Sequence, residues 1–281
     1  MILDTIAQSA RRRVEQRKQV KSLEQMMREA WECRERDGIK REDIKREDTK
    51  GECKTGEGYP FKAALSKPGV SFICEVKKAS PSKGLIAPDF PYVDIARQYQ
   101  EAGADAISVL TEPEYFLGAD RYLEEIHGET GLPLLRKDFT VDEYQIYEAK
   151  VLGASAVLLI CSLLDREQLK RYMGICGSLG LSSLVEAHTD GEVAMAAEAG
   201  AGIIGINNRN LGTFEVDFTN ALRLRKLVDR GTIFVAESGI RTAADIELLA
   251  ENQVDAVLVG ETLMRAEDKK RALRELKSRI G

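Results

Sequence analysis

The length, composition and charge of the chain exclude several classes of protein. Its 281 residues suffice for two average domains or for one large α/β barrel. A hydrophobic content of 43% excludes a disordered chain, and a net charge of -5 gives no reason to expect a nucleic-acid or membrane partner. Apolar stretches such as residues 156–161 are far shorter than the ~20 residues of a membrane span, and the N-terminus lacks the apolar core of a signal peptide. We therefore expect a soluble, cytoplasmic protein.

The N-terminal sixty residues differ in composition from the rest of the chain. Apolar residues recur at helical spacing over residues 2–30, which predicts an amphipathic helix that is either continuous or broken once. Over residues 34–58 acidic and basic residues interleave, which indicates a solvated arm rather than a binding surface. We assign residues 1–60 to this helix and charged arm, which would pack on a catalytic barrel at residues 61–281.

Short apolar runs and helical patterns alternate after residue 61. The runs lack the alternation of a half-exposed sheet, so we expect strands that are buried on both faces. The runs are 71–76, 106–110, 132–135, 156–160, 182–185, 203–206, 233–236 and 256–259. Helical segments of crossover length lie between them, for example 92–102, 144–152, 167–176, 193–199 and 243–250.

A weak internal repeat supports an α/β architecture. The segments EAGADAISVL, VLGASAVLLI and EAGAGIIGIN each end a helix, turn on a glycine and enter a strand. Eight such units in about 220 residues, with no GxGxxG turn after the first strand, favour a closed barrel over an open doubly wound sheet. The predicted fold is therefore a (β/α)8 TIM barrel with an additional N-terminal helical extension.

The cysteines and histidines do not form a recognisable metal or disulfide pattern. The five cysteines have no CxxC or CxH spacing and only two histidines could join them, so we expect neither a metal site nor a disulfide framework. Cys74 and Cys161 lie in apolar runs and are interpreted as core residues. His188 follows the fifth strand and His127 ends a predicted helix, and we interpret both as helix-cap or loop residues rather than as a base.

Charged residues cluster where the predicted strands end, which is where barrels of this class carry their chemistry. Glu75 and Lys77 are two residues apart and therefore share one face of the first strand. Lys137 after the third strand and Glu186 after the fifth would join them at one mouth, where burial and mutual charge pull pKa values apart. The alternative is an ion-paired plug without chemistry. Charges from three strands at this end favour a catalytic site.

The last two strands end in glycine turns that suit a phosphate group. Ser238 and Gly239 follow the seventh strand, and Gly260 and Glu261 follow the eighth, where a short helix at 261–264 would begin. Glycines let backbone N–H groups approach phosphate oxygens, and the helix would point its amino end at the anion. The alternative is that both are ordinary tight turns.

The sixth strand adds an amide and a guanidinium at the same end. Asn207 and Arg209 are two residues apart, so both would face the mouth. These groups suit a hydroxyl or a carboxylate of a substrate. Arg209 could instead pair only with Asp217 or Glu215, which leaves Asn207 as the substrate contact on this strand.

Six motifs occur in order along residues 70–264, and a seventh lies between the first two. They are EVKKASPSKG from Glu75, LLRKDF from Leu134, SLVEAH from Ser183, GINNRNL from Gly205, VAESGI from Val235 and VGETLM from Val259, with TEPEYFLG from Thr111 as the seventh. Together they resemble the indole-3-glycerol phosphate synthase family. The resemblance implies ring closure, decarboxylation and dehydration of 1-(2-carboxyphenylamino)-1-deoxyribulose 5-phosphate to indole-3-glycerol phosphate in tryptophan biosynthesis. It implies no cofactor.

The resemblance also implies roles for the residues at the matching positions. Lys137 would protonate the ribulose carbonyl or the departing hydroxyl, and Glu186 would be the base or acid that completes the dehydration. Glu75 and Asn207 would orient these groups and the sugar hydroxyls, and Lys77 would hold the substrate carboxylate and assist proton transfer. Residues that would contact the rest of the substrate are Ser80, Arg209 and Ser238, with Lys77, Ser238, Gly239, Gly260 and Glu261 at the phosphate. Glu261 stands where a small residue is frequent in the family.

Two other functions are alternatives to a synthase. A sister phosphate-binding isomerase would use a cysteine and an aspartate, whereas we expect Cys74 to face the outside of the barrel. A non-catalytic barrel that binds a phosphorylated metabolite would not need Lys137, Glu186 and Glu75 together. The expected partner is a small phosphorylated substrate, and we expect a monomer or weak homo-oligomer. Candidates for the apolar wall around the aromatic ring are Phe116, Phe139, Leu158, Ile160 and Leu211.

Overall fold

The computed structural model describes residues 2–38 and 58–280, and in this part of the chain eight parallel strands close into one barrel. The strands are β1 (Ser71–Val76), β2 (Ala106–Leu110), β3 (Leu134–Lys137), β4 (Ala156–Ile160), β5 (Ser182–Ala187), β6 (Ile203–Asn207), β7 (Ile233–Glu237) and β8 (Ala256–Val259). Each strand pairs with its neighbour in the chain, and β1 pairs with β8 to close the ring. The predicted (β/α)8 barrel is confirmed.

Helices surround the barrel and cover both of its ends. They are α1 (Ile2–Val20), α2 (Leu23–Arg36), α3 (Pro60–Leu65), α4 (Tyr92–Glu101), α5 (Asp120–Glu129), α6 (Tyr144–Val151), α7 (Arg166–Ser178), α8 (Asp190–Ala199), α9 (Thr219–Leu224), α10 (Ala243–Glu251), α11 (Glu261–Arg265) and α12 (Lys269–Lys277). The N-terminal helix is broken once, between α1 and α2. Within the described ranges, no helix combines the length and the apolarity that crossing a bilayer requires.

Both faces of each strand are buried, which explains why the apolar runs do not alternate with polar residues. In β1, Phe72 and Cys74 pack against the helix layer, whereas Ile73 belongs to the cluster in the barrel lumen. All three side chains are fully buried. Cys74 therefore faces outward as predicted, and the next lumen position on β1 is Glu75.

Four of the eight strands, β3, β5, β6 and β7, extend one or two residues further toward the mouth than their apolar runs predict. A polar side chain in the lumen does not interrupt the backbone ladder, so Asn207 pairs in register with Glu237, and Leu110 with Lys137. At its other end β3 begins only after Pro133, because proline has no N–H to donate to the ladder. The charged groups of the mouth consequently stand on strand ends, where paired neighbours on both sides hold the backbone.

The two ends of the barrel are covered by helices from the N-terminal part of the chain. Leu3 and Ile6 of α1 pack on the lumen cluster at the carboxyl end of the strands. At the amino end, Phe61 of α3 is fully buried against the same cluster, and Ser71 Oγ donates to the carbonyl of Ala64. Helix α3 thus closes the amino end of the barrel, and α1 covers its carboxyl end. Most of the predicted charged arm, residues 39–57, lies outside the described residues.

Ion pairs fix α1 beside the ends of β2 and β3. Arg13 Nη1 lies 3.0 Å from Glu112 Oε1, and Arg13 Nη2 lies 3.8 Å from Asp138 Oδ1. The buried Glu112 carboxylate also accepts the backbone N–H groups of Tyr115 at 2.6 Å and Phe116 at 3.0 Å. One carboxylate therefore ties α1 to the loop that carries Phe116.

Candidate active site at the carboxyl end of the barrel

A cavity of about 380 Å³ opens at the carboxyl end of the barrel, between the strand ends and α1. Its volume is in the range of small-molecule binding sites. Every residue predicted for the site lines it: Glu75, Lys77, Ser80, Lys137, Glu186, Asn207, Arg209, Ser238, Gly239, Gly260 and Glu261. The fold therefore brings these residues together around one space, where their side chains can act on one ligand.

Lys137, the last residue of β3, is the centre of the charged part of the cavity. Its Nζ donates to Glu186 Oε2 at 2.9 Å and to Glu237 Oε2 at 2.7 Å. Burial alone would lower the pKa of Lys137, but the charges of Glu186, Glu237 and Glu75 outweigh it and raise that pKa above its usual range. An ammonium group has three N–H donors, and these two carboxylates take two of them. The third can donate to a ligand in the cavity.

Glu237, the last residue of β7, was not assigned a role from the sequence. Its side chain is fully buried, and its Oε1 has no hydrogen-bond partner among the described residues. Burial raises the pKa of Glu237 to about 7, and the charge of Lys137 opposes only part of that rise. Gly205 on β6 leaves room for this carboxyl group, because a Cβ there would lie 2.3 Å from Glu237 Oε1. Near neutral pH Glu237 is therefore a proton carrier in direct contact with Lys137.

Glu186 on β5 has the opposite electrostatic character. Its Oε2 accepts from Lys137, and its Oε1 accepts from Asn207 Nδ2 at 3.3 Å. Burial would raise the pKa of Glu186, but the charges of Lys137 and His188 outweigh it and lower that pKa. Asn207 is itself fixed, since its Oδ1 accepts the backbone N–H of Arg209 at 3.0 Å. Glu186 is therefore an ionised carboxylate with a defined orientation.

Glu75 and Lys77 form an ion pair on the lumen side of β1, as their spacing predicts. The Glu75 side chain is buried, and Lys77 keeps part of its surface exposed at the mouth. Gly260 makes room for the pair, because a Cβ there would lie 2.2 Å from Glu75 Oε1 and 3.1 Å from Lys77 Nζ. The Lys77 ammonium consequently lies beside the glycine turn that follows β8.

The turns after β7 and β8 form the rim of the cavity. Ser238 has φ +66 and Gly239 has φ +82, so the backbone is left-handed at both positions. A non-glycine residue held in this conformation is typical of a functional turn. A Cβ on Gly239 would also lie 2.7 Å from Val216 Cγ1, so the position requires glycine. This turn is held in place by Asn208 Nδ2, which donates to the carbonyl of Ser238 at 3.1 Å.

Glu261 begins α11 and is surrounded by cations at the rim. Its carboxylate lies 3.1 Å from Arg265 Nε, 3.5 Å from Lys83 Nζ and 3.9 Å from Arg209 Nη2. Burial would raise the pKa of Glu261, but Arg265 and Lys83 outweigh it and lower that pKa. Arg209 thus pairs with Glu261 rather than with Glu215 or Asp217. An anion that enters here meets several cations and one competing carboxylate.

Apolar side chains form another part of the cavity wall. The Phe116 and Phe139 rings lie 6.0 Å apart between centroids and are tilted by 42°. All five predicted wall residues line the cavity: Phe116, Phe139, Leu158, Ile160 and Leu211. Helix α1 adds Ile2, Leu3 and Ile6, which the sequence did not assign to the site. The cavity therefore has an apolar half that suits a planar aromatic ring.

Sequence reasoning also missed Glu237, an ionisable residue of the cavity, and set aside His188, which lies directly beside Glu186. In both cases alternation along the strand was the available signal. Val235 packs in the lumen cluster, so Glu237 two residues later shares the lumen face. By the same reasoning His188 follows Glu186 on the lumen side of β5.

Among the described residues, no three His, Cys, Asp or Glu side chains are arranged to hold a metal ion.

Comparisons with known proteins agree with the motifs. The family model for indole-3-glycerol phosphate synthase matches residues 3–276. An indole-3-glycerol phosphate synthase of Endomicrobium trichonymphae is 50% identical over 277 residues, covering 99% of this chain and 100% of that protein. Another, of Ruminiclostridium cellulolyticum, is 60% identical over 210 residues, covering 75% and 81%. The solved 3-hexulose-6-phosphate synthase from Salmonella typhimurium has a TM-score of 0.61 at 15% identity, over 74% of this chain and 97% of that one, which shows a shared fold.

Proposed function

Because the chain belongs to the indole-3-glycerol phosphate synthase family, whose members are decarboxylating lyases of tryptophan biosynthesis, we propose that Lys137 and Glu186 are the acid and base of its reaction. One observation carries this assignment. Lys137 Nζ lies 2.9 Å from Glu186 Oε2 in a buried mouth, with the pKa of the lysine raised and that of the glutamate lowered. The acid is therefore loaded with a proton, and the base is free of one, at neutral pH.

In the ring-closing step, the third N–H of Lys137 donates to the ribulose carbonyl oxygen as the aromatic carbon attacks the carbonyl carbon. The proton moves to that oxygen while the new carbon–carbon bond forms. The cationic intermediate then lies beside the carboxylates of Glu75 and Glu186, which stabilise it electrostatically. Lys77 holds the substrate carboxylate until it leaves as CO2, and the electrons of that bond restore the aromatic ring.

In the dehydration step, Glu186 takes a proton from carbon and Lys137 protonates the departing hydroxyl, which leaves as water. The overall reaction takes up one proton, because the carboxylate leaves as neutral CO2 and the oxygen as water. Lys137 must therefore be reloaded during each turnover. The pKa of Glu237, raised by burial to about 7, and its 2.7 Å contact with Lys137 Nζ make Glu237 the donor that reloads it.

The two halves of the cavity suit the two ends of the substrate. The aromatic ring lies against the apolar wall at Phe116 and Phe139, and the phosphate lies at the rim. There it contacts the backbone N–H groups of the two glycine turns and the ammonium group that follows β1: Ser238, Gly239, Gly260 and Glu261, with Lys77. Ser80 and Arg209 contact the sugar between these ends, and Asn207 orients both the sugar and Glu186.

The two alternative functions are less compatible with the cavity. A cysteine-dependent isomerase would need a reactive thiol at the mouth, but Cys74 is fully buried in the outer layer and burial raises the pKa of its thiol. A barrel that only binds a phosphorylated metabolite would need the rim alone. It would not need an ammonium buried between two carboxylates.

The remaining features of the proposal concern the context in which the chain works. We place it in the cytoplasm as a monomer or weak homo-oligomer, with a phosphorylated small molecule as its substrate and no nucleic-acid or membrane partner. Neither a cofactor nor a metal takes part, since acid/base chemistry accounts for every step. We assign residues 1–60 to an N-terminal helix and charged arm, and residues 61–281 to the catalytic barrel.

A turnover assay on the purified full chain tests the proposal, with 1-(2-carboxyphenylamino)-1-deoxyribulose 5-phosphate and no added metal or nucleotide. We expect prompt indole absorbance and fluorescence. Glu186→Gln should lower kcat by ~100-fold or more with little change in KM. Glu198→Gln, an exposed carboxylate on α8, is the matched control and should behave as wild type. Binding without product would favour the metabolite-binding barrel, and wild-type turnover in Glu186→Gln would remove Glu186 from the mechanism.

A further inference from the structure

His188 lies directly behind the proposed base, Glu186, and has no role in the mechanism described above. It follows the last residue of β5, and its imidazole lies between two carboxylates. Its Nε2 is 3.5 Å from Glu186 Oε1, and its Nδ1 is 3.5 Å from Glu192 Oε2 on α8. His188 thus lies in the loop before the N-cap of α8, as interpreted from the sequence, but its loop position alone does not explain these two contacts.

The surroundings hold this imidazole in place. Glu192 Oε2 accepts the backbone N–H of His188 at 2.6 Å, and Asn220 Nδ2 donates to the carbonyl of His188 at 3.2 Å. The Nε2 atom is buried and has no hydrogen-bond partner among the described residues. It therefore lies slightly beyond hydrogen-bond distance from Glu186 Oε1, and a small movement of either group would close the gap.

The charged groups that face His188 are mainly acidic. They are Glu186 on β5, Glu192 on α8 and Glu237 on β7, with Lys137 on β3 behind the first and third of these. Burial alone would lower the pKa of His188, but its bond to Glu192 and the charges of the three carboxylates outweigh it and raise that pKa. The imidazole is therefore a cation over more of the neutral range than an exposed histidine.

We propose that His188 is a positioning residue that orients the Glu186 carboxylate and keeps it ionised during turnover, with Glu192 holding the imidazole in place. This inference rests on the proposed role of Glu186 as the base. Lys137 and Asn207 bind the two oxygens of that carboxylate in the resting site. When Lys137 gives its proton to the substrate, it no longer balances the negative charge of Glu186. The imidazolium at Oε1 then supplies the remaining positive charge.

The first test is the pH profile of kcat in His188→Asn, which removes the cation but keeps a polar side chain. Without the imidazolium the pKa of Glu186 rises, so the acidic limb of the profile should move to higher pH. We expect the plateau kcat to fall by ~10-fold and KM to stay within about twofold. Glu192→Gln leaves His188 present but less charged, and should move the same limb by a smaller amount.

The chain offers a readout that does not depend on turnover, because it contains only two histidines. Imidazole NMR signals of the full-length protein can be assigned with His188→Asn and with the matched control His127→Gln. We expect the His188 signal to titrate above the ordinary value of about 6.5, and Glu186→Gln to lower its midpoint. The His127→Gln enzyme should keep the wild-type pH profile.

Each outcome bears on one of two hypotheses. An unchanged acidic limb in a folded His188→Asn enzyme, or a His188 midpoint that ignores Glu186→Gln, overturns the positioning role. If His188→Asn does not fold, Glu192→Gln and the NMR titration decide the same point. Wild-type turnover in Glu186→Gln would instead overturn the proposed function, whatever His188 does.

Discussion

The cavity has a floor, where Lys137 lies between Glu186 and Glu237, and a rim, where Glu261 lies among cations. Both carry ammonium and carboxylate groups, but at different depths. At the floor, the Lys137 side chain is 13% exposed and lies 2.7 and 2.9 Å from carboxylates that are 2% and 3% exposed. At the rim, Lys83 and Glu261 are 36% and 31% exposed and lie 3.5 Å apart. Burial shifts the pKa values of Lys137 and Glu237 strongly, whereas Lys83 and Glu261 form a partly exposed ion pair that a ligand can replace.

The difference follows from the dielectric around each group. In a buried site the interaction of two charges is weakly screened, so each proton shifts the pKa values of its neighbours. An exposed pair is screened by water and salt and contributes at most ~1 kcal/mol to stability. A ligand anion can therefore replace the carboxylate as the partner of an exposed cation at little cost. We therefore expect mutations at the floor to change kcat, and mutations at the rim to change KM.

The largest expected effect separates two lysines of the same cavity. Lys137→Ala removes the proton donor and should lower kcat by ~100-fold or more at nearly constant KM. Lys83→Ala removes a rim cation and should raise KM a few-fold, and more so at low ionic strength, with kcat unchanged. Steady-state kinetics of both variants in two salt concentrations would check this. If both variants lowered kcat equally, the expectation that the floor sets kcat and the rim sets KM would be wrong.

The second prediction concerns Glu237 and its pH dependence. Glu237→Gln keeps the shape of the side chain but cannot carry a proton, so we expect kcat to fall by about 10- to 100-fold. If Glu237 reloads Lys137, the wild-type rate should decline as pH rises through about 7, where burial has placed the pKa of Glu237. That decline should be absent in the variant. A pH profile of kcat from both proteins would show it.

The same substitution has a consequence for stability. The pKa of Glu237 is raised from 4.5 to about 7 on folding, so the folded state binds its proton more tightly than the unfolded state does. Its contribution to the free energy of unfolding is therefore full below about 4.5 and is lost as pH rises through about 7. Wild-type Tm should fall relative to Glu237→Gln over that interval. Parallel curves would contradict a raised pKa.

The sequence predicted the barrel and the composition of its mouth because both depend on local signals. Apolar runs buried on two faces, glycine turns between helices and strands, and charged residues at strand ends are each visible within a few positions. The strand ends were less predictable, because ladder pairing through Asn207 and Glu237 depends on the neighbouring strand. The local hydrophobic pattern therefore predicts which residues are buried better than it predicts where a strand ends.

The partners of Lys137 could not be read from the sequence, because they depend on the closure of the barrel. Glu186 and Glu237 lie on different strands, and their approach to one ammonium follows from strand register and tilt. Alternation along β5 and β7 is enough to put both side chains in the lumen, but it does not say which of the two carboxyl groups has a raised pKa. His188 was set aside on a different ground, as a helix-cap or loop residue, although its two carboxylate neighbours lie only two and four residues away in the chain.

The smallest expected effect is at Glu261, and it tests the rim most directly. Its carboxylate lies near Lys83, Arg209 and Arg265, so it competes with a substrate phosphate for these cations. Glu261→Ser should therefore lower KM, and the inhibition constant of inorganic phosphate, by roughly two- to fivefold with kcat unchanged. Exposed Glu267→Ser makes the same change in net charge outside the cavity lining and is the matched control. A raised KM in Glu261→Ser alone would mean that the carboxylate organises these cations for the phosphate rather than competing with it.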